Sequence, residues 1–200
     1  MSAKLLGSYE SELHGVLGGF LKYDFDRIIN IGCAEGYYAV GLARAKPEAR
    51  VIAYDTNISQ RRRTSWLAAA NGVLDRIILV GACDESLLAR DLQGARSILI
   101  VCDVEGAELD FLKPGVFPPN CRAWLVVECH KVNQKWTSEE LTTRFELSHR
   151  IEQISYQPDS RAESFAWLLD SGFDKRELQI AVREGRELEQ HWLIMSPKVK

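Results

Sequence analysis

Several features that define common protein classes are missing from this 200-residue sequence. No apolar run reaches the roughly 18 consecutive residues of a membrane-spanning helix, and the first ten residues lack the apolar stretch of a signal peptide. The five cysteines form no C-x-x-C pair, and most lie in or beside apolar runs, where cysteine behaves as a small hydrophobic residue. These absences argue against a membrane protein, a disulfide framework and a zinc site, and they predict a cytoplasmic protein.

The sequence also lacks an excess of charge of either sign. It has 25 Lys and Arg against 28 Asp and Glu, which gives a net charge of −3. The one basic cluster, Arg61-Arg62-Arg63, is interpreted as a solvated helix face rather than a phosphate site. We therefore expect neither nucleic acid nor a membrane as a partner. The 46% hydrophobic content is that of an ordinary globular protein, and the length predicts one domain over residues 1–200.

What the sequence does contain is an alternation of apolar strands with helical patterns. This alternation predicts an α/β fold with a mostly parallel sheet covered by helices on both faces. The strands are predicted at residues 27–31, 50–55, 76–83, 97–103, 122–130, 150–156 and 191–196. The helices are predicted at residues 5–21, 36–45, 60–71, 84–91, 138–147, 161–170 and 176–189, with Ser59 capping the third and Thr137 or Ser138 capping the fifth.

The stretch Arg27–Val40 carries the first binding signal. An apolar strand ends at Ile31, breaks at Gly32 and continues from Gly36 as a helix. A strand that enters a helix through such a turn is expected to present free backbone N–H groups and a positive helix end to one spot. At the carboxyl edge of a parallel sheet, that spot suits a nucleotide-like ligand.

Polar side chains end most of the early strands. Because the carboxyl ends of parallel strands share one edge, we expect these side chains to converge on a binding site. They are Asn30 with Glu35, Asp55, Asp103, and Glu128 with His130.

The turn discriminates between two nucleotide-like cofactors. Asp55 can accept hydrogen bonds from ribose hydroxyls of either a nicotinamide dinucleotide or S-adenosylmethionine. A dinucleotide needs G-x-G-x-x-G, but in Gly32-Cys-Ala-Glu-Gly36 the second glycine is replaced by Ala34. Glu35 would repel a pyrophosphate and attract a sulfonium and an α-amino group. The residues favour S-adenosylmethionine. An NAD(P)-dependent oxidoreductase and a non-catalytic module with a cofactor fold stay as alternatives.

Four motifs together resemble those of class I S-adenosylmethionine-dependent methyltransferases. They are Asn30-Ile-Gly-Cys-Ala-Glu-Gly36, Asp55, Gly81-Ala-Cys-Asp84 and Asp103-Val-Glu-Gly-Ala-Glu108. The last block, with Val127-Glu-Cys-His130 after it, is similar to the FkbM-type enzymes, which carry Asp-(Val/Ile)-Glu-Gly-x-Glu and then Glu-x-His. The resemblance covers residues 27–130. It implies a Rossmann-like methyltransferase fold with a seven-stranded, mostly parallel sheet and an antiparallel C-terminal strand.

The same resemblance divides the chain and assigns its cofactor contacts. It implies an N-terminal helix in residues 1–25, a cofactor-binding core in 27–130 and an acceptor-side part in 131–200. Asp55 would hold the ribose, and Asn30 stands where many members have an acidic residue. Asp84 serves equally well as a helix N-cap. The implied contacts are Asn30, Gly32, Cys33, Ala34, Glu35, Gly36, Tyr38, Asp55, Thr56, Asn57, Ala82, Cys83, Asp84 and Asp103.

The expected reaction is O-methylation of a hydroxyl on a small molecule or sugar. No N/D-P-P-Y/F motif follows the fourth strand, which favours oxygen over an exocyclic nitrogen. The enzyme must align the acceptor and remove its proton. Asp103, Glu105, Glu128 and His130 are the candidates, and His130 is the simplest because its ordinary pKa is about 6.5.

Three further interpretations concern a metal site, helix stability and the residues outside the motifs. Asp103, Glu128 and His130 could bind a divalent cation, but their spacing does not demand one and the metal is not favoured. Glu105 and Glu108 could simply favour a helix N-terminus through its dipole. The residues that match no motif are predicted at the surface, namely Arg144, His149, Arg183 and Arg186.

Overall fold

The computed structural model describes residues 2–156, 165, 167–172, 174–184, 186 and 189–198. Its strands are β1 (Arg27–Ile31), β2 (Arg50–Tyr54), β3 (Ile77–Val80), β4 (Ser97–Cys102), β5 (Arg122–Cys129), β6 (Lys131–Val132), β7 (Lys135–Trp136), β8 (His149–Ser155) and β9 (His191–Pro197). Its α-helices are α1 (Ser2–Leu6), α2 (His14–Phe20), α3 (Tyr37–Ala45), α4 (Ile58–Ala70), α5 (Glu85–Leu92), α6 (Glu108–Phe111), α7 (Thr137–Phe145), α8 (Trp167–Asp170) and α9 (Lys175–Val182). Short 3-10 helices lie at Ser11–Leu13, Leu74–Arg76 and Pro114–Val116.

Seven strands form one sheet in the order β3-β2-β1-β4-β5-β9-β8. Strands β1 to β5 are parallel, and β9 runs antiparallel to both β5 and β8. The predicted fold class, an α/β Rossmann-like sheet with an antiparallel C-terminal strand, is confirmed. The strand order reverses between β1 and β4, and in open α/β sheets ligands bind at the carboxyl end of this switch point.

Helices cover both faces of the sheet. On one face the core contains Phe20 of α2, Val40 and Leu42 of α3 and Ala68 of α4. On the other face it contains side chains of α5, α6 and α7. Successive residues of the central strand β1 enter opposite cores, Ile28 one and Ile29 the other, as the two-residue period of a strand requires.

The N-terminal helix is broken, which corrects the prediction of one helix over 5–21. Helix α1 ends at Leu6, and the backbone of Glu10 takes a left-handed conformation with φ of +47°. Glu10 is fully buried, and its carboxylate accepts hydrogen bonds from Tyr38 and Arg186. We attribute the break to these contacts, because they hold the Glu10 side chain inside the fold. In a continuous helix the regular helical period would fix the direction of this side chain instead.

Several helix boundaries also differ from prediction. Helix α4 begins after Asn57, whose side chain accepts the N–H of Ser59, so Asn57 rather than Ser59 is the cap. Helix α7 already includes Thr137 and Ser138, so neither caps it. The hairpin β6–β7 was not predicted.

Two predicted helices, 161–170 and 176–189, fall partly outside the described residues. Within the described part, α8 covers four residues and α9 ends at Val182. No helix in the described ranges is long and apolar enough to cross a membrane.

Replacing Gly32 by alanine tests the packing at the switch point. Gly32 has a φ of +78°, and a Cβ there would lie 1.7 Å from the backbone oxygen of Asp103. A left-handed alanine costs about 1–2 kcal/mol before any clash, so Gly32→Ala should lower the free energy of unfolding by more than this. Gly41→Ala, in the open on helix α3, should instead raise it by about 0.5–1 kcal/mol. Urea unfolding measures both, and equal stability of the two variants would contradict the packing described.

Candidate functional site

A cavity of about 370 Å³ lies at the carboxyl edge of the sheet, beside the switch point. Residues that follow β1, β2, β3 and β4 meet there, as the convergence of strand ends predicted. The lining residues are Ile31, Gly32, Tyr54, Asp55, Thr56, Gly81, Ala82, Cys83, Asp103, Val104, Glu105, Ala107 and Phe111. The structure thus brings seven of the predicted site residues to one cavity, namely Gly32, Asp55, Thr56, Ala82, Cys83, Asp103 and Glu105.

Asp55 is held by the backbone on both of its carboxylate oxygens. One oxygen accepts the N–H of Ala34 at 2.8 Å, and the other accepts the N–H of Asn57 at 2.8 Å. Each oxygen keeps a lone pair, because a carboxylate oxygen can accept more than one hydrogen bond. The carboxylate is therefore fixed in orientation at the cavity wall and still able to accept two hydroxyl groups.

Four of the five N–H groups in the turn Gly32–Gly36 are not free, contrary to what the sequence led us to expect. The N–H groups of Gly32 and Cys33 donate to the oxygen of Tyr54, and that of Gly36 donates to Cys33. Ala34 donates to Asp55. These four N–H groups already have acceptors, so they cannot bind an anion. The turn instead allows its backbone to lie close to a ligand. Gly36 is also tightly packed, since a Cβ there would lie 2.7 Å from Thr64.

Three predicted cofactor residues do not line the cavity, and each has a partner elsewhere in the fold. Glu35 pairs with Lys4 of helix α1; burial alone would raise the pKa of Glu35, but the hydrogen bond from Lys4 leaves it lowered. Tyr38 donates its hydroxyl hydrogen bond to Glu10. Asn30 is buried, its amide donates to the oxygen of Val101 at 3.2 Å, and its side-chain oxygen has no partner among the described residues.

The third strand end supplies a backbone wall rather than a charged contact. Gly81, Ala82 and Cys83 line the cavity. Asp84 does not, because it caps α5 by accepting hydrogen bonds from the N–H of Leu87 at 2.8 Å and the Ser86 hydroxyl at 2.7 Å, which lower the pKa of Asp84. Burial raises the pKa of the Cys83 thiol to about 12, so it stays protonated at neutral pH.

His130 lies next to two acidic residues of the cavity wall, although it is not part of the lining. Its Nδ1 atom is 2.8 Å from Oε1 of Glu108. Its Nε2 atom is 3.4 Å from Oε2 of Glu105 and 3.8 Å from Oδ1 of Asp103. Burial alone would lower the pKa of His130, but the hydrogen bond and charge of Glu108, with the charges of Asp103 and Glu105, raise it. The three carboxylates thus stabilise the imidazolium that His130 would form on taking up a proton.

The same end of the cavity has the donor set of a cation site. One ligand atom each from Asp103, Glu105 and His130 lie within 4.8 Å of one another, and carboxylate oxygen with imidazole nitrogen suits several divalent cations. This set differs from the predicted one, in which Glu128 stood in place of Glu105. Glu128 instead lies with Oε2 3.0 Å from Nη2 of Arg186.

Arg186 is the centre of a buried ionic cluster, which corrects its prediction as a surface residue. Only 10% of its side chain is exposed. Besides Glu128, its guanidinium pairs with Glu10 and lies 3.7 Å from Glu184 and 3.9 Å from Glu12. One cation thus links the N-terminal segment, β5 and the segment before β9. Burial, followed by the charge of Asp103, raises the pKa of Glu128.

His149 was also predicted at the surface, and it is buried at the opposite edge of the sheet. Its Nε2 atom is 3.0 Å from the oxygen of Ala123 and its Nδ1 atom is 2.8 Å from the Ser148 hydroxyl. A larger cavity of about 620 Å³ lies there, beside Cys121 and Phe145. It contains none of the predicted site residues, and the strand-end carboxylates do not reach it. We therefore place the candidate site at the carboxyl edge.

Sequence reasoning missed several residues of this region. Phe111 and Ala107 line the cavity from α6 and the turn before it. The signal for them was available, because they belong to or closely follow the Asp103–Glu108 block. The sequence predicts for Glu108 only a helix-dipole role, although its three-residue distance from Glu105 places it near the same turn. Nothing in the sequence pointed to Arg186.

The sequence matches no family model and no curated protein, but solved structures match the fold. The precorrin-6y C5,15-methyltransferase of Geobacter metallireducens superposes with a TM-score of 0.59 at 13% identity, over 95% of this chain and 90% of its own. A SAM-dependent methyltransferase of Geobacter sulfurreducens in complex with S-adenosyl-L-homocysteine gives 0.56 at 16% identity, over 96% and 91%. The chain has the class I methyltransferase fold.

A third match has a similar extent. The O-methyltransferase TomG of Streptomyces achromogenes, in complex with SAM, gives a TM-score of 0.54 at 14% identity, over 94% of this chain and 79% of its own. Within the methyltransferase fold, the cavity described above occupies the edge where the strand order reverses. At these identities the matches establish the fold, and they do not test the FkbM-type resemblance.

Removing the charge of Arg186 tests the buried cluster. Arg186→Met keeps much of the side-chain volume but leaves Glu10 and Glu128 as buried carboxylates without their cation. Breaking a buried ion pair in this way costs about 3–5 kcal/mol, so the free energy of unfolding should fall by that amount. Arg183→Met, at an exposed position nearby, should change it by less than about 0.5 kcal/mol. Equal small effects in urea unfolding would show that Arg186 does not hold the cluster together.

Proposed function

We propose that this chain is an S-adenosylmethionine-dependent methyltransferase that methylates a hydroxyl group of a small molecule or sugar. The observation that carries the proposal is one cavity in a methyltransferase fold with Asp55 at one end and Asp103 and Glu105 at the other, where His130 lies next to these two carboxylates. The first end has the chemistry to hold a ribose. The second end has the chemistry to take up a proton. The two ends are joined by the backbone of Gly32.

The cofactor assignment rests on Asp55 and on the wall formed by residues 81–83. The fixed carboxylate of Asp55 would accept the two ribose hydroxyls, and Ala82 and Cys83 would lie against the adenine. Two fold neighbours were solved with this cofactor or its demethylated product, which supports the choice. A nicotinamide dinucleotide would also use Asp55. It is disfavoured because the turn lacks G-x-G-x-x-G and four of the five N–H groups of the turn already have acceptors.

The acceptor hydroxyl would lie near Asp103 and His130. S-adenosylmethionine supplies a methyl carbon bound to a sulfonium, and the acceptor oxygen displaces the sulfur, which leaves as a neutral thioether. His130 would take the hydroxyl proton on Nε2, the nitrogen that has no hydrogen-bond partner among the described residues. Asp103 and Glu105 would stabilise the resulting imidazolium, because both carboxylates lie within 4 Å of Nε2.

We also propose that the chain is of the FkbM type. The two motifs that carry this resemblance are the Asp103–Glu108 block and Glu128-Cys-His130, and they meet in space through the contact between Glu108 and His130. Contact between separately placed motifs supports the idea that they form one functional unit. The identity of the acceptor is left to experiment.

Calorimetry with S-adenosyl-L-homocysteine tests the cofactor assignment. Asp55→Ala should weaken its affinity at least tenfold, because hydrogen bonds to a charged group are worth about 1.5–3 kcal/mol each. Asp75→Ala is the matched control, because it also removes one negative charge but at an exposed position. It should bind as the wild type does. If the wild type binds and Asp55→Ala binds equally well, Asp55 is not in the site. If the wild type does not bind, the proposed function is wrong.

Chelation tests whether a metal is needed. Protein treated with EDTA should retain its affinity for S-adenosyl-L-homocysteine and, with hydroxylated compounds as acceptors, its transfer of a radiolabelled methyl group. The physical reason is that His130 can remove the proton without a metal ion. A different result would assign Asp103, Glu105 and His130 to a cation. In that case EDTA abolishes methyl transfer, Mg²⁺ or Mn²⁺ restores it, and Glu105→Gln without EDTA also abolishes it.

A further inference from the structure

Glu108 is a fully buried carboxylate, with none of its side chain exposed. Buried ionisable side chains of this type are rare unless they are paired. One oxygen of Glu108, Oε1, lies 2.8 Å from Nδ1 of His130 and also accepts the N–H of Gly106 at 3.1 Å. The other oxygen, Oε2, is buried and has no partner in the described part of the chain. The pairing of Glu108 with His130 is therefore the contact that accounts for its place in the core.

The contact determines which ring nitrogen of His130 carries the proton. Oε1 of Glu108 already accepts the N–H of Gly106 and keeps a second lone pair, so Nδ1 donates to it. In the neutral ring Nε2 then has a lone pair close to Asp103 and Glu105, and this nitrogen is itself buried. The partner of one imidazole nitrogen sets the state of the other in this way.

Asp103 and Glu105 cannot fix the ring in the same way. Their oxygens lie 3.8 Å and 3.4 Å from Nε2, and their side chains are 32% and 87% exposed. The backbone of His130 is held as well, since its N–H donates to the Thr137 hydroxyl at 3.2 Å and its oxygen accepts the N–H of Thr137 at 2.9 Å. With the backbone fixed by Thr137 and Nδ1 fixed by Glu108, Nε2 has one direction available.

We propose that Glu108 is a positioning residue, which holds His130 with Nδ1 protonated and with the Nε2 lone pair toward Asp103 and Glu105, the side from which the proton of the acceptor hydroxyl would arrive. This inference rests on the proposed function. In the step it serves, a bond forms between the acceptor oxygen and the methyl carbon while the bond from that carbon to sulfur breaks. The bonding pair stays on sulfur, and the hydroxyl proton moves to Nε2. Glu108 faces the resulting imidazolium from Nδ1, and Asp103 and Glu105 face it from Nε2.

The tautomer of His130 tests this role without measuring catalysis. Nitrogen-15 labelling of the four histidines gives the protonation of each ring nitrogen by NMR, and the His130 signals are those lost in His130→Gln. The measurement is made on the full chain at a pH where the rings are neutral. In the wild type we expect a protonated Nδ1 and an unprotonated Nε2. The opposite tautomer in the wild type would overturn the proposal.

Two substitutions of Glu108 separate its hydrogen bond from its bulk. Glu108→Leu removes the acceptor, so both tautomers of His130 should become populated. Glu108→Gln should restore the wild-type tautomer, because the N–H of Gly106 donates to the same oxygen and keeps the amide oxygen toward Nδ1. Glu139→Leu, an exposed acid on α7, is the control and should leave the tautomer unchanged. A wild-type tautomer in folded Glu108→Leu would overturn the proposal, as would a failure of Glu108→Gln to restore it.

The affinity for S-adenosyl-L-homocysteine is measured on the same samples and separates the two hypotheses. Glu108 is absent from the cavity lining, so Glu108→Leu and Glu108→Gln should bind within about threefold of the wild type. Wild-type affinity with a changed tautomer supports the positioning role. Absence of binding in the wild type contradicts the proposed function, and the tautomer of the wild type and of the variants still decides the role of Glu108.

Discussion

The candidate site depends on the close approach of two strand ends, those of β1 and β4. The N–H of Asp103 donates to the oxygen of Ile31 at 2.9 Å, and Gly32 leaves no room for a Cβ against the backbone of Asp103. This contact fixes the turn after β1 and the acidic turn after β4 at the point where the strand order reverses. A small change in either turn would move Asp55 relative to Asp103.

Two groups of charged residues lie near this contact, one at the cavity and one buried in the fold. Asp103 and Glu105 line the cavity, and His130 lies next to them with its Nε2 atom buried. Behind them, the buried cluster around Arg186 connects the N-terminal segment to β5 through Glu10 and Glu128. A buried ion pair is weak evidence for stability in itself, but loss of one partner is costly. The cluster therefore holds together chain segments that the sheet alone does not connect.

Much of the fold was predictable because strand periodicity and turn chemistry are local. The five parallel strands and Asp55, Asp103 and His130 followed from apolar runs and from the polar residues that end them. The orientation of Glu35, Tyr38 and Glu128 was not predictable, because it depends on Lys4, Glu10 and Arg186, which are distant in sequence. The broken N-terminal helix has the same origin, since its pattern is amphipathic but buried contacts of Glu10 override it. Long-range pairing of charges leaves no periodic signal in a sequence.

The central claim is that the cavity at the carboxyl edge holds S-adenosylmethionine. A crystal structure of the chain with S-adenosyl-L-homocysteine bound tests it most directly. The account predicts ribose hydroxyls on Asp55, adenine against Ala82 and Cys83, and the sulfur near Asp103, with His130 Nε2 beyond it. The result that would contradict the account is a ligand bound elsewhere, such as the larger cavity beside Phe145, with the carboxyl edge free of it.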